Sequence, residues 1–184
     1  MDESQLIVAC KKQERSAQKA LYERYAPLMM TVCLRYSHEG ETARDLLHDG
    51  FIHVFSQISS FSGKGSFEGW LRRIFVNLAL ENYRKEKRKN LFLEEYKQAQ
   101  IDEADIGFGE AVDFEDVPRS EILKIIQELP PGYQTVFNLF IFEDMSHKEI
   151  AQQMGISEAS SRSQFSRAKA ILQKKVSIFQ EKNQ

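Results

Sequence analysis

The stretch SHKEIAQQMGISEASSRSQFSRAKAIL, residues 146–172, decides the fold of this chain most clearly. It opens with a capping-box pattern, in which the Ser146 hydroxyl accepts from the Glu149 amide and the Glu149 carboxylate accepts from the Ser146 amide. Gly155 supplies the left-handed residue that ends a helix, and Ser157 can cap the next one. The stretch therefore predicts two helices joined by a tight turn.

The second of these helices has an apolar side and a polar side. Spacings of three and four residues place the apolar stripe at Phe165, Ala168, Leu172 and Val176. The polar side carries short hydroxyl side chains and two cations, at Ser157, Arg162, Ser163, Ser166 and Arg167. With the small Ala151 at the crossing and Ile156 as an apolar plug, the pattern fits a DNA-binding helix-turn-helix, whose cations contact phosphates or guanine edges. A capped helical hairpin with a solvated polar side is the alternative.

Helical periodicity also governs the chain on the N-terminal side of this stretch. It predicts a helical segment from Leu6 to Tyr25 with a break at Pro27, followed by helices over Leu28–Tyr36, Glu41–Ile58, Phe67–Lys89, Arg119–Leu129 and Tyr133–Phe142. No strand-like alternation competes with these helices. The prediction is an all-α protein with two small helical domains, a four-helix bundle over residues 1–90 and a helix-turn-helix domain over residues 119–184. Residues 91–118 lose the periodicity, accumulate acids and predict a flexible linker.

Charge is distributed unevenly, although the formal net charge of the whole chain is only −2. From Phe61 to Lys89, eight basic residues less three acidic ones give +5, and from Met145 to Val176, six less two give +4. From Leu91 to Arg119, two basic residues against nine acidic ones give −7. Two basic segments separated by an acidic one are compatible with a nucleic-acid binder despite the acidic total.

Composition argues against several other classes of protein. Cys10 and Cys33 have no CxxC spacing and no nearby His cluster, so we expect two buried thiols and neither a disulfide framework nor a metal site. The chain contains no apolar run of about 18 residues, and its acidic start is unlike a signal peptide. We expect a cytoplasmic protein that is not inserted in a membrane.

A second candidate nucleic-acid site lies in FSGKGSFEGWLRRIFVNLALENYRKEKRK, residues 61–89. A base lifted out of its stack needs flat apolar walls and amide hydrogen bonds, and its strand needs cations. Five residues could supply these parts, namely Phe61, Lys64, Arg73, Asn77 and Arg84. The alternative is that the aromatic side chains form core and the basic run is a solvated helix end. The GKGS sequence lacks the spacing of a phosphate-binding P-loop.

These segments together resemble the bacterial RNA polymerase sigma factors of the extracytoplasmic-function (ECF) group. The resemblance covers DLLHDGFIHVF at residue 45, FSGKGSFEGWLRRIFVNLALENYR at 61, LPPGYQTVFNLFIFEDMSHKEIA at 129 and SSRSQFSRAKAIL at 160, in the family's order. It implies a sigma region 2-like bundle, a sigma region 4-like helix-turn-helix domain and no covalent chemistry or cofactor. It also implies three partners: core RNA polymerase, promoter DNA and an anti-sigma protein.

The resemblance implies a role for each motif. Core polymerase would bind Asp45, Leu46, His48, Asp49, Phe51 and Phe55. The non-template −10 strand would bind Phe61, Ser62, Gly63, Lys64, Arg73, Asn77 and Arg84. The duplex −35 element would bind Ser157, Arg162, Ser163, Ser166 and Arg167.

The chain departs from the family at three positions. His48 stands where the family often has Gln, Ser161 where an apolar Val is usual, and Gln164 where Arg often follows the serine. Because Ser161 removes two methyl groups from the inner side of the recognition helix and Gln164 removes a charge, the −35 sequence preference of the family does not carry over.

Two other functions remain open on the residues alone. One is a stand-alone helix-turn-helix regulator with an N-terminal sensor or dimerisation bundle, although such a bundle has no need of a basic, aromatic helix beside a glycine loop. The other is an enzyme using Asp45, His48 and Asp49, but no nucleophile or second ligand cluster accompanies them.

Overall fold

The structure, a computed structural model, describes residues 2–90, 114 and 117–182, and within them it is helical without strands. The helices are α1 (Glu3–Lys11), α2 (Arg15–Arg35), α3 (Gly40–Gln57), α4 (Phe67–Asn90), α5 (Arg119–Gln127), α6 (Pro131–Phe142), α7 (His147–Met154) and α8 (Glu158–Lys182), with a 3-10 turn at Ile58–Ser60. The chain divides into two compact units, Met1–Ala79 and Leu80–Gln184. The all-α prediction is confirmed, and most of the predicted linker lies outside the described residues.

The first helices show one wrong prediction. Pro27 lies inside α2, which runs without a break to Arg35, and the interruption falls earlier, where Gln13 adopts a left-handed φ of 60° between α1 and α2. A proline inside a helix removes one backbone hydrogen bond and crowds the preceding turn. Burial of Tyr25 and Met29 on either side of Pro27 holds the helix together in spite of that cost.

In the N-terminal unit, α3 is packed against α2, and the ring of Phe75 from α4 lies directly on the α3 backbone at Gly50. A Cβ atom at Gly50 would come within 2.0 Å of Phe75 Cε1, closer than any real contact. Phe75 also meets the ring of Phe51 edge-on, with centroids 5.4 Å apart. Glycine at position 50 is therefore required by the space that Phe75 occupies.

The C-terminal unit is assembled around α8, against which α5, α6 and α7 pack. Its core joins the inner side of α8 to apolar residues of the preceding segments, namely Val117, Ile125, Ile126, Leu129, Phe137, Ala168, Leu172 and Val176. Three of the four residues predicted for the α8 stripe are buried, and Phe165 is half-buried against this core. The apolar side of α8 is thus confirmed. Both cysteines, in the N-terminal unit, are buried thiols as predicted, and burial raises the pKa of Cys33 to about 12.

Replacing Gly50 by Ala should destabilise the N-terminal unit. Overpacking against Phe75 costs about 1–3 kcal/mol, and the better helix propensity of Ala returns about 1 kcal/mol. We expect a net loss of up to about 2 kcal/mol in the free energy of unfolding. Urea unfolding followed by the fluorescence of Trp70, the single tryptophan of the chain, measures it.

The matched control is Gly40→Ala, since a Cβ at Gly40, in the first turn of the same helix, meets no atom within 4 Å in the part of the chain that the structure describes. The packing argument fails if the Gly50 variant is as stable as the Gly40 variant.

Candidate polymerase and nucleic-acid interfaces

One side of α3 is exposed along its length. His48 and Asp49 lie three and four residues after Asp45, and Ile52 lies four and three residues after them. All four side chains are exposed. The imidazole Nδ1 of His48 lies 3.9 Å from a carboxylate oxygen of Asp49. Ile52 is 53% exposed, which is high for an isoleucine on a helix of this unit. The surface, called here the α3 surface, combines two carboxylates, an imidazole and an aliphatic side chain.

The other residues predicted on α3 lie deeper. Leu46 and Phe51 are buried, and Phe55 is half-buried with its ring centroid 6.0 Å from that of Phe51. Their apolar side chains pack into the core because they lie on the inner side of α3 with Val54. Leu46 and Phe51 therefore support the α3 surface from below and are not part of it. Sequence reasoning missed Ile52, whose signal was its spacing from His48 and Asp49.

The loop of residues 61–66 between the 3-10 turn and α4 is exposed from Ser62 onward. Gly63 and Gly65 adopt φ values of 77° and 80°, which residues with a Cβ rarely do. The Ser66 hydroxyl accepts from the Gly69 amide at 3.1 Å and so caps the start of α4. The two glycines and the cap fix a tight, open loop from which the Lys64 side chain extends into solvent.

Phe61 begins this loop, but its ring is turned into the N-terminal unit. It is 7% exposed and packs on Phe67 and Trp70, with centroids 5.1 and 5.5 Å away. Its carbonyl oxygen accepts a hydrogen bond of 2.7 Å from the Lys11 Nζ of α1. Phe61 and Lys11 thus anchor the loop from two directions. The ring of Phe61 does not face solvent in the way that the sequence predicted for a base contact.

The three predicted residues on α4 remain on its surface. Arg73, Asn77 and Arg84 are exposed, and their spacings of four and seven put them on one side of the helix. The Arg84 Nε donates to the carbonyl oxygen of Leu80 at 3.2 Å, which directs the guanidinium along the helix. This side of α4 offers two guanidinium groups with an amide between them.

The helix-turn-helix has the local geometry that its sequence predicts. The Ser146 hydroxyl accepts from the Glu149 amide at 3.3 Å, and the Glu149 carboxylate accepts from the Ser146 amide at 2.8 Å. The Ser146 hydroxyl also donates to the Glu149 carboxylate at 2.6 Å, and this bond, followed by the one from the Ser146 amide, lowers the pKa of Glu149. Gly155 takes a left-handed φ of 64°, and the Ser157 hydroxyl accepts from the Ser160 amide at 3.0 Å. Both predicted caps and the predicted turn are confirmed.

The polar residues of α8 differ in exposure. Ser157 and Arg162 are exposed, and the Arg162 guanidinium forms an ion pair with the Glu158 carboxylate one turn earlier. Ser163, Ser166 and Arg167 are half-buried, and Arg167 Nη1 donates to the Tyr133 hydroxyl of α6 at 3.3 Å. The more exposed of the two guanidinium groups is therefore that of Arg162, near the N-terminal end of α8, while Arg167 is held partly against α6.

Ser161 lies beneath this polar side and is fully buried. Its hydroxyl is 2.9 Å from Nδ1 of His147, the first residue of α7. The His147 ring stacks on Phe140 with centroids 4.7 Å apart and planes 20° apart. Burial, and after it the charge of Arg162, lowers the pKa of His147, whereas Glu158 opposes the shift.

The part of the chain that the structure describes contains neither a cluster of metal-binding side chains nor a membrane-spanning helix. Within residues 2–90, 114 and 117–182, no three His, Cys, Asp or Glu side chains come together in a way that could hold a metal ion. None of the helices in these residues has the length and apolarity to cross a bilayer.

Comparison with known proteins gives two family matches. Residues 21–89 match the family model described as Sigma-70 region 2, and residues 119–172 match Sigma-70, region 4. The two matches fall on α2–α4 and on α5–α8, which carry the surfaces described above.

Similar proteins include the RNA polymerase sigma-H factor of Pseudomonas aeruginosa, 25% identical over 94% of this chain and 92% of that protein. The RNA polymerase sigma factor YlaC of Bacillus subtilis is 29% identical over 87% of this chain and 92% of that protein. Among solved structures, the sigma factor RpoE of Bartonella quintana, in complex with the anti-sigma factor NepR, aligns with a TM-score of 0.51 and 19% identity. That alignment covers 87% of this chain and 96% of the other, and it shows a shared fold.

The bond from Lys11 to the Phe61 carbonyl predicts that Lys11→Met loosens the loop of residues 61–66. Losing one charge-assisted hydrogen bond should speed hydrogen exchange of the loop amides roughly fivefold. Mass spectrometry of peptides spanning the loop measures the change, and Lys12→Met, one position along at an exposed site, is the control. Equal exchange in the two variants would show that the Lys11 bond does not hold the loop.

Proposed function

The chain belongs to the ECF group of sigma-70 factors, and from that premise we propose how its surfaces direct core RNA polymerase to promoters. An ECF sigma factor is an initiation factor that binds core polymerase and promoter DNA. Its own chain supplies binding surfaces, and the polymerase supplies the chemistry. Each of three surfaces of this chain serves one step of initiation, and the protein acts in the cytoplasm with its polymerase.

The observation that carries this function is the presence of both sigma-70 regions in one chain and in order. A stand-alone helix-turn-helix regulator would account for the second match but not for the first. The relatives also span nearly the whole chain, so neither region is an isolated borrowed module. The regulator alternative is not supported.

The α3 surface is our proposed docking site for core polymerase. Asp45, His48 and Asp49 offer exposed polar contacts around an exposed Ile52. An aliphatic side chain ringed by polar groups resembles the anchor of an interface, because the apolar centre loses water while the rim gives orientation. Leu46, Phe51 and Phe55 keep α3 in position behind this surface.

The loop of residues 61–66 and the exposed side of α4 are our proposed binding site for the melted −10 strand. Ser62, Gly63 and Lys64 lie in a loop whose backbone is open to a ligand, since no atom of the described residues lies within 4 Å of the Cβ position at Gly63 or Gly65. Asn77 supplies an amide that can pair with a base edge, and Arg73 and Arg84 supply charge for phosphates. Phe61 supports the loop through its buried ring and its bond to Lys11.

The N-terminal turns of α8 are our proposed reader of the duplex −35 element. In a helix-turn-helix the first residues of the second helix reach the base edges. Ser157 and Arg162 are exposed there, whereas Ser163, Ser166 and the half-buried Arg167 lie at its edge. Arg162 is the best placed of these to contact a guanine or a phosphate.

Two units of small basic charge, joined by a tether, explain why promoter binding by this protein should depend on core polymerase. We keep the proposed domains as residues 1–90 and 119–184, with residues 91–118 between them. Binding of one unit holds the other at high effective concentration, so the pair binds more tightly than either alone. The charge of each unit is small and the linker is acidic, so the free protein should bind promoter DNA weakly at physiological salt.

Run-off transcription on fragmented genomic DNA tests the function directly. Core polymerase is supplied with and without this protein, and the 5′ ends of the transcripts are mapped. We expect new start sites that share two sequence elements at a fixed spacing. A set of transcripts that does not change on addition of the protein would refute the proposal.

Ile52→Glu tests the docking site on core polymerase. A buried charge at the centre of the interface should weaken core binding at least tenfold, since central apolar contacts are worth more than about 1.4 kcal/mol. The substitution lies on the surface, so the free energy of unfolding should change by less than about 0.5 kcal/mol. Affinity for core polymerase, measured by competition against the unmodified protein, gives the answer.

Val8→Glu is the matched control, because Val8 on α1 is also 53% exposed and belongs to the same unit. Equal weakening by the two substitutions would mean that the effect of Ile52→Glu is not specific to the α3 surface.

A further inference from the structure

The recognition helix α8 contains a buried polar residue at a position where its neighbours on the inner side are apolar. Ser161 is fully buried, as are Ala168 and Leu172 on the same helix. A hydroxyl removed from water is costly unless it finds a partner. Its partner is Nδ1 of His147 at 2.9 Å, so the hydrogen bond joins the first residue of α7 to α8.

The imidazole is itself held from three helices. The preceding residue, Ser146, is fixed by the capping box, so the start of α7 is well defined. The His147 ring stacks on Phe140 of α6 and meets Phe165 of α8 edge-on at 5.6 Å. Phe140 and Phe165 contact each other with centroids 4.5 Å apart. The capped start of α7 and the two aromatic contacts together restrict the orientation of the imidazole, and with it the direction of Nδ1.

We propose that His147 and Ser161 are a positioning pair that fixes the rotation and tilt of the N-terminal turns of α8 and thereby aims Arg162 at the −35 element. The inference rests on the function proposed above, because it concerns how that same helix reads DNA. Arg162 follows Ser161 directly and points outward, so any rotation of α8 that breaks the pair also moves the guanidinium. Neither residue of the pair contacts DNA itself.

The pair also confers a pH dependence that a purely apolar contact would lack. Charges act on the ring from α8, where Arg162 disfavours and Glu158 favours the protonated form, whereas α6 presents the uncharged ring of Phe140. The pKa of His147 in the folded protein lies below its ordinary value of 6.5. Stabilisation by neutral His147 is therefore present above that value and is lost as the pH falls through the lowered one.

The test uses holoenzyme assembled from core polymerase and full-length variants. Transcription is measured at a promoter found in the run-off experiment and at the same promoter with its −35 element scrambled, and the ratio is the −35 discrimination. Ser161→Ala removes the hydroxyl and should lower the discrimination about fivefold, as expected for one buried hydrogen bond. Ser161→Thr keeps the hydroxyl and should stay within twofold of the unmodified protein.

Two further variants separate positioning from mere packing. His147→Asn places an amide near Nδ1 and should keep most of the discrimination, but it removes the titrating group. As the pH is lowered from 7.5 to values below 6.5, the unmodified protein should lose discrimination relative to this variant, whose ratio should stay flat. Ser177→Ala removes a serine hydroxyl from the same helix, one bonded at 3.1 Å to the Gln173 carbonyl, and should have no effect.

The outcomes distinguish this inference from the function on which it rests. Joint reversal of Arg162 and Arg167 to Glu should abolish −35-dependent transcription while core binding is retained. If it does so and Ser161→Ala keeps full discrimination, the positioning pair is wrong and the proposed function stands. If the double reversal has no effect, the assignment of α8 to the −35 element is wrong. Two results would show that the pair only stabilises the fold and would overturn the inference. One is loss of core binding by Ser161→Ala, and the other is a pH profile of His147→Asn identical to that of the unmodified protein.

Discussion

Burial of one side of each helix is the constraint on which every surface of this chain depends. The inner side of α3 is fixed by Leu47, Gly50 and Val54, and this sets the direction of Asp49 and Ile52 on the outer side. In α8 the buried Ala168 and Leu172 do the same for Arg162. Burial of one side fixes the orientation of a helix about its own axis. The packing that stabilises the helix therefore also determines which side chains it presents to a partner. The binding surfaces are thus consequences of the two cores.

The sequence was sufficient for the helices, and its one wrong boundary has a physical cause. The helical spacing of apolar residues and the identity of capping residues are local properties of the sequence. The start of α7 and its capping box were therefore predictable from Ser146 and Glu149. The break at Pro27 was expected on local grounds as well. It did not occur because burial of Tyr25 and Met29 outweighs one missing hydrogen bond. Gln13, where the chain does turn, carries no residue-type signal for a left-handed conformation.

The sequence was less informative about how deeply a side chain is buried and about hydrogen bonds between residues that are distant in the chain. Phe61 was predicted to offer a flat apolar wall to a base, and in the structure its ring packs on Phe67 and Trp70. The bond that anchors its carbonyl comes from Lys11, fifty residues away. Periodicity indicates which side of a helix a residue occupies, but not whether a loop side chain turns inward, because that depends on the space left by other segments.

Ser161 departs from the family pattern, and the structure shows a consequence of this departure that the sequence did not. From sequence it was a loss of two methyl groups, whereas in the structure it gains a directional bond to His147. Dispersion contacts depend on distance and have no preferred angle, whereas a hydrogen bond also prefers an angle above about 150° at its hydrogen and so has a direction. A rotation of about 10° moves an atom on the outside of a helix, roughly 5–6 Å from its axis, by about 1 Å. That displacement is enough to spoil a bidentate contact with a base, so a polar pair at Ser161 constrains the direction of Arg162 more tightly than an apolar contact would.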